Sequence, residues 1–581
     1  MLLAQHFQLP GTADPPSQAC DRRHGNGILH DANVRKEALM KIVVAEKIAS
    51  SAVELLKQQP GFTVITHDQI SNNLPELIKD ADALIVRSAV DVDEPLLAHA
   101  QKLRVVGRAG VGVDNVDLHA ATKHGIAVMN TPGANAIAVA EHTIGLMLAL
   151  ARFIPRADSL LKQGKWEKKS LQGTELRGKT LGIVGLGRIG AEVAKRARVF
   201  GMEVIAHDPF ISAPVAEEMG AQLVPLDEIY AKSHYITLHL GLTPQTVGMI
   251  NAESIKKMKK GVRLINCARG ELVNEQDLAA ALKSGQVAAA ALDVFEEEPP
   301  KNSPVVALEN VVATPHIGGS TKEAQEAVGV QIAEQVKEYL LKGVFQNAVN
   351  VPSVSYEEYV EMQAYIVLAE RLGAFAAQIS EGNLQEIVLR YAGRMANWKT
   401  DLLRNAAVMG VLNEMLAEKA NVVNAASVAQ ERGIRVTESG KARREGGGAA
   451  DVLTITLKTS KQEQLVRGTV LHTNSPRLLS VDSIDVEARL QQNLIYLRNR
   501  DVPGVVGQVG TILAKNRINI ANYSLGRSEE GPEPREAISV VRVDGSVPEF
   551  VVQELRKIPA VLEAKAIQMP ANGHKAEAAA E

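Results

Sequence analysis

The stretch Thr180 to Asp208, TLGIVGLGRIGAEVAKRARVFGMEVIAHD, spaces Gly185, Gly187 and Gly190 as G-x-G-x-x-G between two segments of different periodicity. Thr180 to Val184 is a short apolar run that reads as a buried strand. Arg188 to Phe200 sets Ile189, Val193, Ala194 and Ala197 at helical spacing. On a strand-to-helix turn each glycine has a physical task. Gly185 makes the tight turn, Gly187 lets backbone approach a pyrophosphate, and Gly190 lets the helix pack on the strand. The helix N-terminus then faces the phosphates. A second strand, Met202 to His207, ends at Asp208. A carboxylate there accepts hydrogen bonds from a ribose 2′-hydroxyl and repels a 2′-phosphate, so the expected cofactor is NAD.

At 581 residues the chain has room for three or four domains of about 150 residues each. A net charge of -3 leaves no basic footprint for nucleic acid, and no nucleic-acid partner is expected. The most apolar stretch, Thr143 to Pro155, is interrupted by Arg152 and falls short of the roughly 18 residues of a membrane span, so no membrane partner is expected. Two cysteines, Cys20 and Cys267, suit a reducing cytoplasm and exclude a multi-cysteine metal site. The histidines do not cluster at ligand spacing, and no metal is expected.

The reading along the chain is α/β. Residues 1–39 lack periodicity and read as a disordered extension. From 40 to 138 strands and helices alternate as in a flavodoxin-like parallel sheet. Its strand ends offer Arg87, Arg108 and Asn135, groups suited to an acidic ligand. Residues 139–319 form a Rossmann-like domain inserted into the first, which a helix at 320–340 completes. Residues 341–490 read as an α+β domain. It has helices over Tyr359 to Ile379 and along the face Leu402, Ala406, Met409, Leu412 and Leu416, a loop ESGKARREGGG, and RLLSVDSIDVEARL as one strand. Residues 491–569 follow the β-α-β-β-α-β order of a ferredoxin-like unit. The tail 570–581 is Ala/Glu-rich and reads as disordered.

Three further residues fall at strand ends of the nucleotide unit: Arg269 in NCARGELVNE, Glu298 in LDVFEEEPP and His316 in TPHIGG. Open α/β sheets bind ligands beyond that edge. Removing hydride from a hydroxyl-bearing carbon needs a base for the hydroxyl proton, which a histidine supplies near neutral pH. A neighbouring carboxylate orients the ring, and an arginine fork holds a substrate carboxylate.

The segments GRAGVGVDNVD, VGLGRIG, NCARGELV, ALDVFEEEP and ATPHIGGST resemble the D-2-hydroxyacid dehydrogenase family. Within it, the chain from Met40 to about Met569 is similar to the long phosphoglycerate dehydrogenase type, with an intervening domain and a ferredoxin-like ACT domain. The resemblance implies that Arg269, Glu298 and His316 are the catalytic residues. It implies that Arg188, Ile189, Asp208, Cys267, Ala268 and Asp293 line NAD, with Val111, Leu240, Gly318 and Gly319. Arg87, Arg108 and Asn135, with Lys168 of a partner subunit, then hold 3-phosphoglycerate. Asp501 and Asn519 would take serine as effector at a homo-oligomer interface, in a dimer or tetramer. The alternatives are a reductase of hydroxypyruvate or glyoxylate, and an NAD-sensing corepressor-like binding protein.

Overall fold

The computed structural model describes residues 39–70, 73–352, 356–416, 419–442, 451–471 and 474–570. The extension and tail read from the sequence lie outside these residues, apart from Leu39 and Pro570, as does Cys20.

The first sheet holds β1 (Met40–Val44), β2 (Phe62–Ile65), β3 (Ala83–Val86), β4 (Val105–Arg108) and β5 (Ala127–Met129), all parallel in the order β2-β1-β3-β4-β5. That is the flavodoxin-like order. Buried runs such as Ala83 to Val86, with no polar alternation, fit a sheet covered on both faces. The helix Lys322–Lys342 returns to one face, where Val328, Ile332 and Val336 join Ile42, Ile85 and Val105 in one core. Gly107 permits this approach, since a Cβ there would lie 2.9 Å from Ile332 and Val336. The helix starts after Thr321, whose hydroxyl caps Ala324 N–H, and ends at Gly343 with φ 71°.

The second sheet holds β6 (Thr180–Val184), β7 (Glu203–His207), β8 (Gln222–Leu223), β9 (Tyr235–Leu238), β10 (Val262–Asn266), β11 (Val287–Leu292) and β12 (Val311–Ala313). Its order is β12-β11-β10-β9-β6-β7-β8, all parallel, with the reversal between β6 and β9 at the nucleotide turn.

The third sheet contains β13 (Leu384–Ala392), β14 (Arg435–Ala442), β15 (Val452–Thr459), β16 (Glu463–Leu471), β17 (Ser475–Val481) and β18 (Ile484–Arg489). Two readings are corrected here. The start of ESGKARREGGG is strand, paired parallel to β13, and RLLSVDSIDVEARL is a hairpin that reverses at Asp482, φ 53°. The helix Asp401–Met415 is buried on more sides than one stripe, with Leu403, Ala407 and Val411 buried and Met409 and Leu416 only partly so. Its seam with the helix Tyr356–Ile379 is glycine-lined, because a Cβ on Gly410 would meet Glu370 O at 2.1 Å. The last sheet, β19 (Asn493–Arg500), β20 (Ile520–Arg527), β21 (Glu536–Val543) and β22 (Val561–Gln568), is antiparallel in the order β20-β21-β19-β22. Two helices cover one face. The other contributes Leu494, Tyr496, Ile538 and Val540 to the core that runs back to the first sheet.

Among the described residues no single helix is long and apolar enough to cross a membrane, and the pair Ala136–Arg152 and Ile154–Lys162 is bent by 63°.

Candidate active site

The nucleotide turn begins where β6 ends. Gly185 has φ 92°, and a Cβ there would lie 2.4 Å from His239 O, so conformation and space both require glycine. A Cβ on Gly190 would lie 2.2 Å from Gly185 O, the close approach of helix to strand. Gly187, the residue before the helix Arg188–Val199, faces open space within 4 Å. That opening at a helix N-terminus is the cradle a pyrophosphate requires. Asp208 accepts from Leu186 N at 2.9 Å and Phe210 N at 2.9 Å, which holds its carboxylate against the turn. Arg188 reaches toward the first sheet, where its Cδ would lie 2.4 Å from a Cβ on Gly133. Leu240 packs under the turn and Ile189 against the second sheet's core. Cys267 is buried, and burial pushes its thiol up to about 12, leaving a neutral wall.

Between the two parallel sheets lies a cavity of about 620 Å³, lined among others by Arg87, Arg108, Asn135, Arg269, Glu298 and His316. His316 Nδ1 lies 2.7 Å from Glu298 Oε2. An ionised carboxylate only accepts, so Nδ1 carries the proton and Nε2 is the atom free to take another. The hydrogen bond to Glu298 outweighs burial and raises the His316 pKa above the ordinary imidazole range. Burial pushes the Glu298 carboxyl up, but His316 and Phe295 N–H more than offset it, and the net shift is downward.

His316 has φ 52°, a left-handed conformation uncommon for a side-chain-bearing residue. The buried Asp293 carboxylate holds it there, accepting from Thr314 Oγ1 at 2.6 Å, Ile317 N at 2.9 Å and Gly318 N at 2.8 Å. Burial raises the Asp293 carboxyl, and these donors with His142 bring it below the carboxylate range. Asp293 therefore grips the His316 loop from a buried position, 1% exposed. Gly319 abuts Asn135, with Asn135 Nδ2 3.0 Å from where a Cβ would stand.

Arg269 donates through Nη1 to Ala268 O at 2.7 Å, while Nε and Nη2 reach Asp114 Oδ2 at 3.1 and 3.0 Å. Asp114, in the loop after β4, was not among the residues singled out from the sequence. Its place in GRAGVGVDN beside Arg108 was the available signal. Gly112 was missed too, although a Cβ there would overlap Arg269 Nη2 at 1.9 Å. Val111 O accepts from Asn130 Nδ2 at 2.5 Å, which fixes this loop over the cavity. Arg108 is lowered by burial and by the nearby Arg269 charge. Its Nε and Asn135 Oδ1 are buried without a hydrogen-bond partner among the described residues. Lys168 sits in an exposed turn and is not part of this cavity. Among the described residues no cluster of metal-ligating side chains occurs.

Asp501 and Asn519 are not brought together. Asp501 N donates to Arg535 O at one end of the last sheet, and its carboxylate accepts from Arg527 Nη1 at 3.4 Å. At the other end Asn519 Nδ2 donates to Asp544 Oδ2 at 2.7 Å.

Comparison with known proteins fits this layout. The family model for the D-isomer specific 2-hydroxyacid dehydrogenase NAD binding domain matches residues 144–318. The D-3-phosphoglycerate dehydrogenase intervening domain matches 361–482, and the ACT domain 494–560. A D-3-phosphoglycerate dehydrogenase of Methanocaldococcus jannaschii is 42% identical over 91% of this chain and 100% of its own length. The chain belongs to the D-3-phosphoglycerate dehydrogenase family. Members from Archaeoglobus fulgidus and Bacillus subtilis are 40% and 38% identical over 91% and 92% of this chain, each over 100% of its own length. Family membership accounts for all three modules, including the intervening and ACT domains in which the sequence showed no catalytic cluster.

Proposed function

We propose that this chain oxidises 3-phospho-D-glycerate to 3-phosphooxypyruvate with NAD, the entry step of serine synthesis. The observation that carries the reading is the His316–Glu298 pair facing Arg269 in a cavity that also holds Arg87 and Arg108.

The open Gly187 cradle and the carboxylate of Asp208 fit NAD. When bound, NAD supplies the hydride acceptor. Arg269 takes the substrate carboxylate in its fork, displacing Asp114. His316 Nε2 accepts the hydroxyl proton as the C2 hydride departs, and Glu298 stabilises the imidazolium that results. Arg87 and Arg108, with Asn135, hold the phosphate. Arg108 Nε and Asn135 Oδ1 lack protein partners, which suits groups reserved for a ligand.

The domains are assigned as 40–138 with 320–340 for substrate, 139–319 for NAD, 341–490 as intervening and 491–569 as the ACT unit. The enzyme is proposed to act in the cytoplasm as a homo-oligomer, a dimer or tetramer. Serine is the proposed effector. Asp501 and Asn519 stand at opposite ends of β20, an eight-residue strand about 26 Å long, so a site containing both takes one from each of two copies.

The test is the initial rate with NAD and 3-phosphoglycerate, with and without serine, against hydroxypyruvate and glyoxylate reduction. Turnover of 3-phosphoglycerate above the other two acids is expected. Preference for hydroxypyruvate or glyoxylate would overturn the substrate, and absence of all turnover would favour the corepressor-like alternative.

A further inference from the structure

The geometry points to Glu275 as a positioning residue for the proton relay, acting through the backbone of the segment that carries Glu298. This inference rests on the proposed relay of Glu298 and His316.

Glu275 opens the helix Glu275–Ser284, a few residues after Arg269, and is 5% exposed. A carboxylate with so little water around it needs donors from the protein. Glu275 Oε1 accepts from Glu296 N at 3.0 Å, and Glu275 N donates to Glu296 Oε1 at 3.0 Å. The Ser303 hydroxyl donates to Glu275 Oε2. Glu296 and Ser303 bracket Glu298, so one buried carboxylate grips its segment on both sides. Phe295 N, the amide beside Glu296 N, donates to Glu298 Oε1 at 3.2 Å, while Glu298 Oε2 meets His316. Neighbouring amides of one turn are thus tied to Glu275 and to Glu298, and displacing the first moves the second. Gly270 completes the unit, since a Cβ there would lie 1.9 Å from the Phe295 carbonyl. The loop of Arg269 and the segment of Glu298 are therefore packed backbone to backbone, with Glu275 as their polar fastening.

Geometry at a relay is worth more than the hydrogen bonds that maintain it, because a displacement of about 1 Å can cost a hundredfold in rate. Glu275→Ala removes both acceptors. Glu275→Gln keeps an oxygen for Glu296 N and an amide that can donate to Ser303. For Glu275→Ala we expect kcat for 3-phosphoglycerate oxidation to fall about ten- to a hundredfold. The NAD dissociation constant should stay unchanged, and the acidic limb of the kcat profile should move to lower pH as His316 loses its carboxylate. Glu275→Gln should restore kcat and the profile. Ser303→Ala, which removes one contact, should move both in the same direction by less, and it serves as the test should Glu275→Ala not fold. A Glu275→Ala or Ser303→Ala enzyme that melts lower yet keeps the parental kcat and pH profile would overturn the inference and leave Glu275 a stabilising residue only. His316→Ala run alongside separates the two ideas: its full activity would sink the relay, whereas its loss of activity beside an unchanged Glu275→Ala would sink only this proposal.

Discussion

His316 combines a left-handed backbone, a carboxylate at Nδ1 and a place at the edge of the cavity, and each feature sets a measurable consequence. Oxidation needs the ring neutral before it accepts a proton, so the rate should rise with pH through the His316 pKa, which Glu298 holds above the ordinary value. His316→Ala should lower kcat by about a hundredfold or more, the usual share of general acid-base catalysis, with little change in NAD affinity by calorimetry. Glu298→Gln should cost less and move the acidic limb downward, because the amide keeps a hydrogen bond and loses the charge. A limb that stays in place in that variant would show that Glu298 does not set the pKa of the base. The same pair bears on stability. A raised histidine pKa adds stability that is fully present below the unfolded value and is lost as pH rises through the folded one. The trio was legible because Arg269, Glu298 and His316 close three strand-turn motifs on one sheet edge. The work of Asp293 was not, since its partners are the amides of Ile317 and Gly318, and which amides a carboxylate meets depends on a loop that returns in space.

The nucleotide turn shows why some elements read clearly. Its strand and helix were legible from period alone, and Gly185 and Gly190 stand where backbone conformation or close approach leaves no room for a side chain, whereas Gly187 borders the open cradle. Gly185→Ala should destabilise the protein and weaken NAD binding together. A left-handed residue costs about 1–3 kcal/mol when it bears a side chain, and the Cβ also meets His239 O. Thermal melting with and without NAD measures both effects, and a variant that binds NAD like the parent would contradict the reading. Asp208→Ala should narrow the preference for NAD over NADP in kcat/KM. It should also loosen the turn, because the same carboxylate holds Leu186 N. Elements whose partners are distant were harder to read. β14 is an edge strand rich in charge, paired with β13 more than forty residues earlier, and charge on an edge resembles a loop in sequence. The β17–β18 hairpin turns on Asp482 at positive φ, where Gly or Asn is the usual signal, so the two strands read as one.

At the scale of the whole molecule one apolar core runs from the first sheet, through the Lys322–Lys342 helix and the paired helices of the intervening domain, to the uncovered face of the last sheet. The intervening domain also grips the first sheet by polar contacts, with Asn421 Nδ2 donating to Gly125 O at 2.7 Å and Asn350 Oδ1 accepting from Val128 N at 2.8 Å. The ACT unit is thus seated on its own chain through packed side chains. Removing it would strip Leu494, Tyr496, Ile538 and Val540 from a shared core, so single substitutions at the seam test coupling more cleanly than truncation. Tyr496 is 1% exposed, and its ring stands edge-on to Phe375 with centroids 6.2 Å apart. Tyr496→Ala leaves a cavity there and should cost about 3–5 kcal/mol of stability. Serine bound to the ACT unit can alter the distant cavity only through its differential affinity for two arrangements, a coupling of about 1–3 kcal/mol. That energy must be transmitted by contacts with distinct alternative packings, and a loosened seam transmits less of it. The expected result for Tyr496→Ala is a lower melting temperature, a KM for NAD like that of the parent, and a serine titration whose maximal inhibition is reduced. Parental inhibition in a variant that melts lower would exclude the Tyr496–Phe375 seam as the route and place the coupling across the interface between copies.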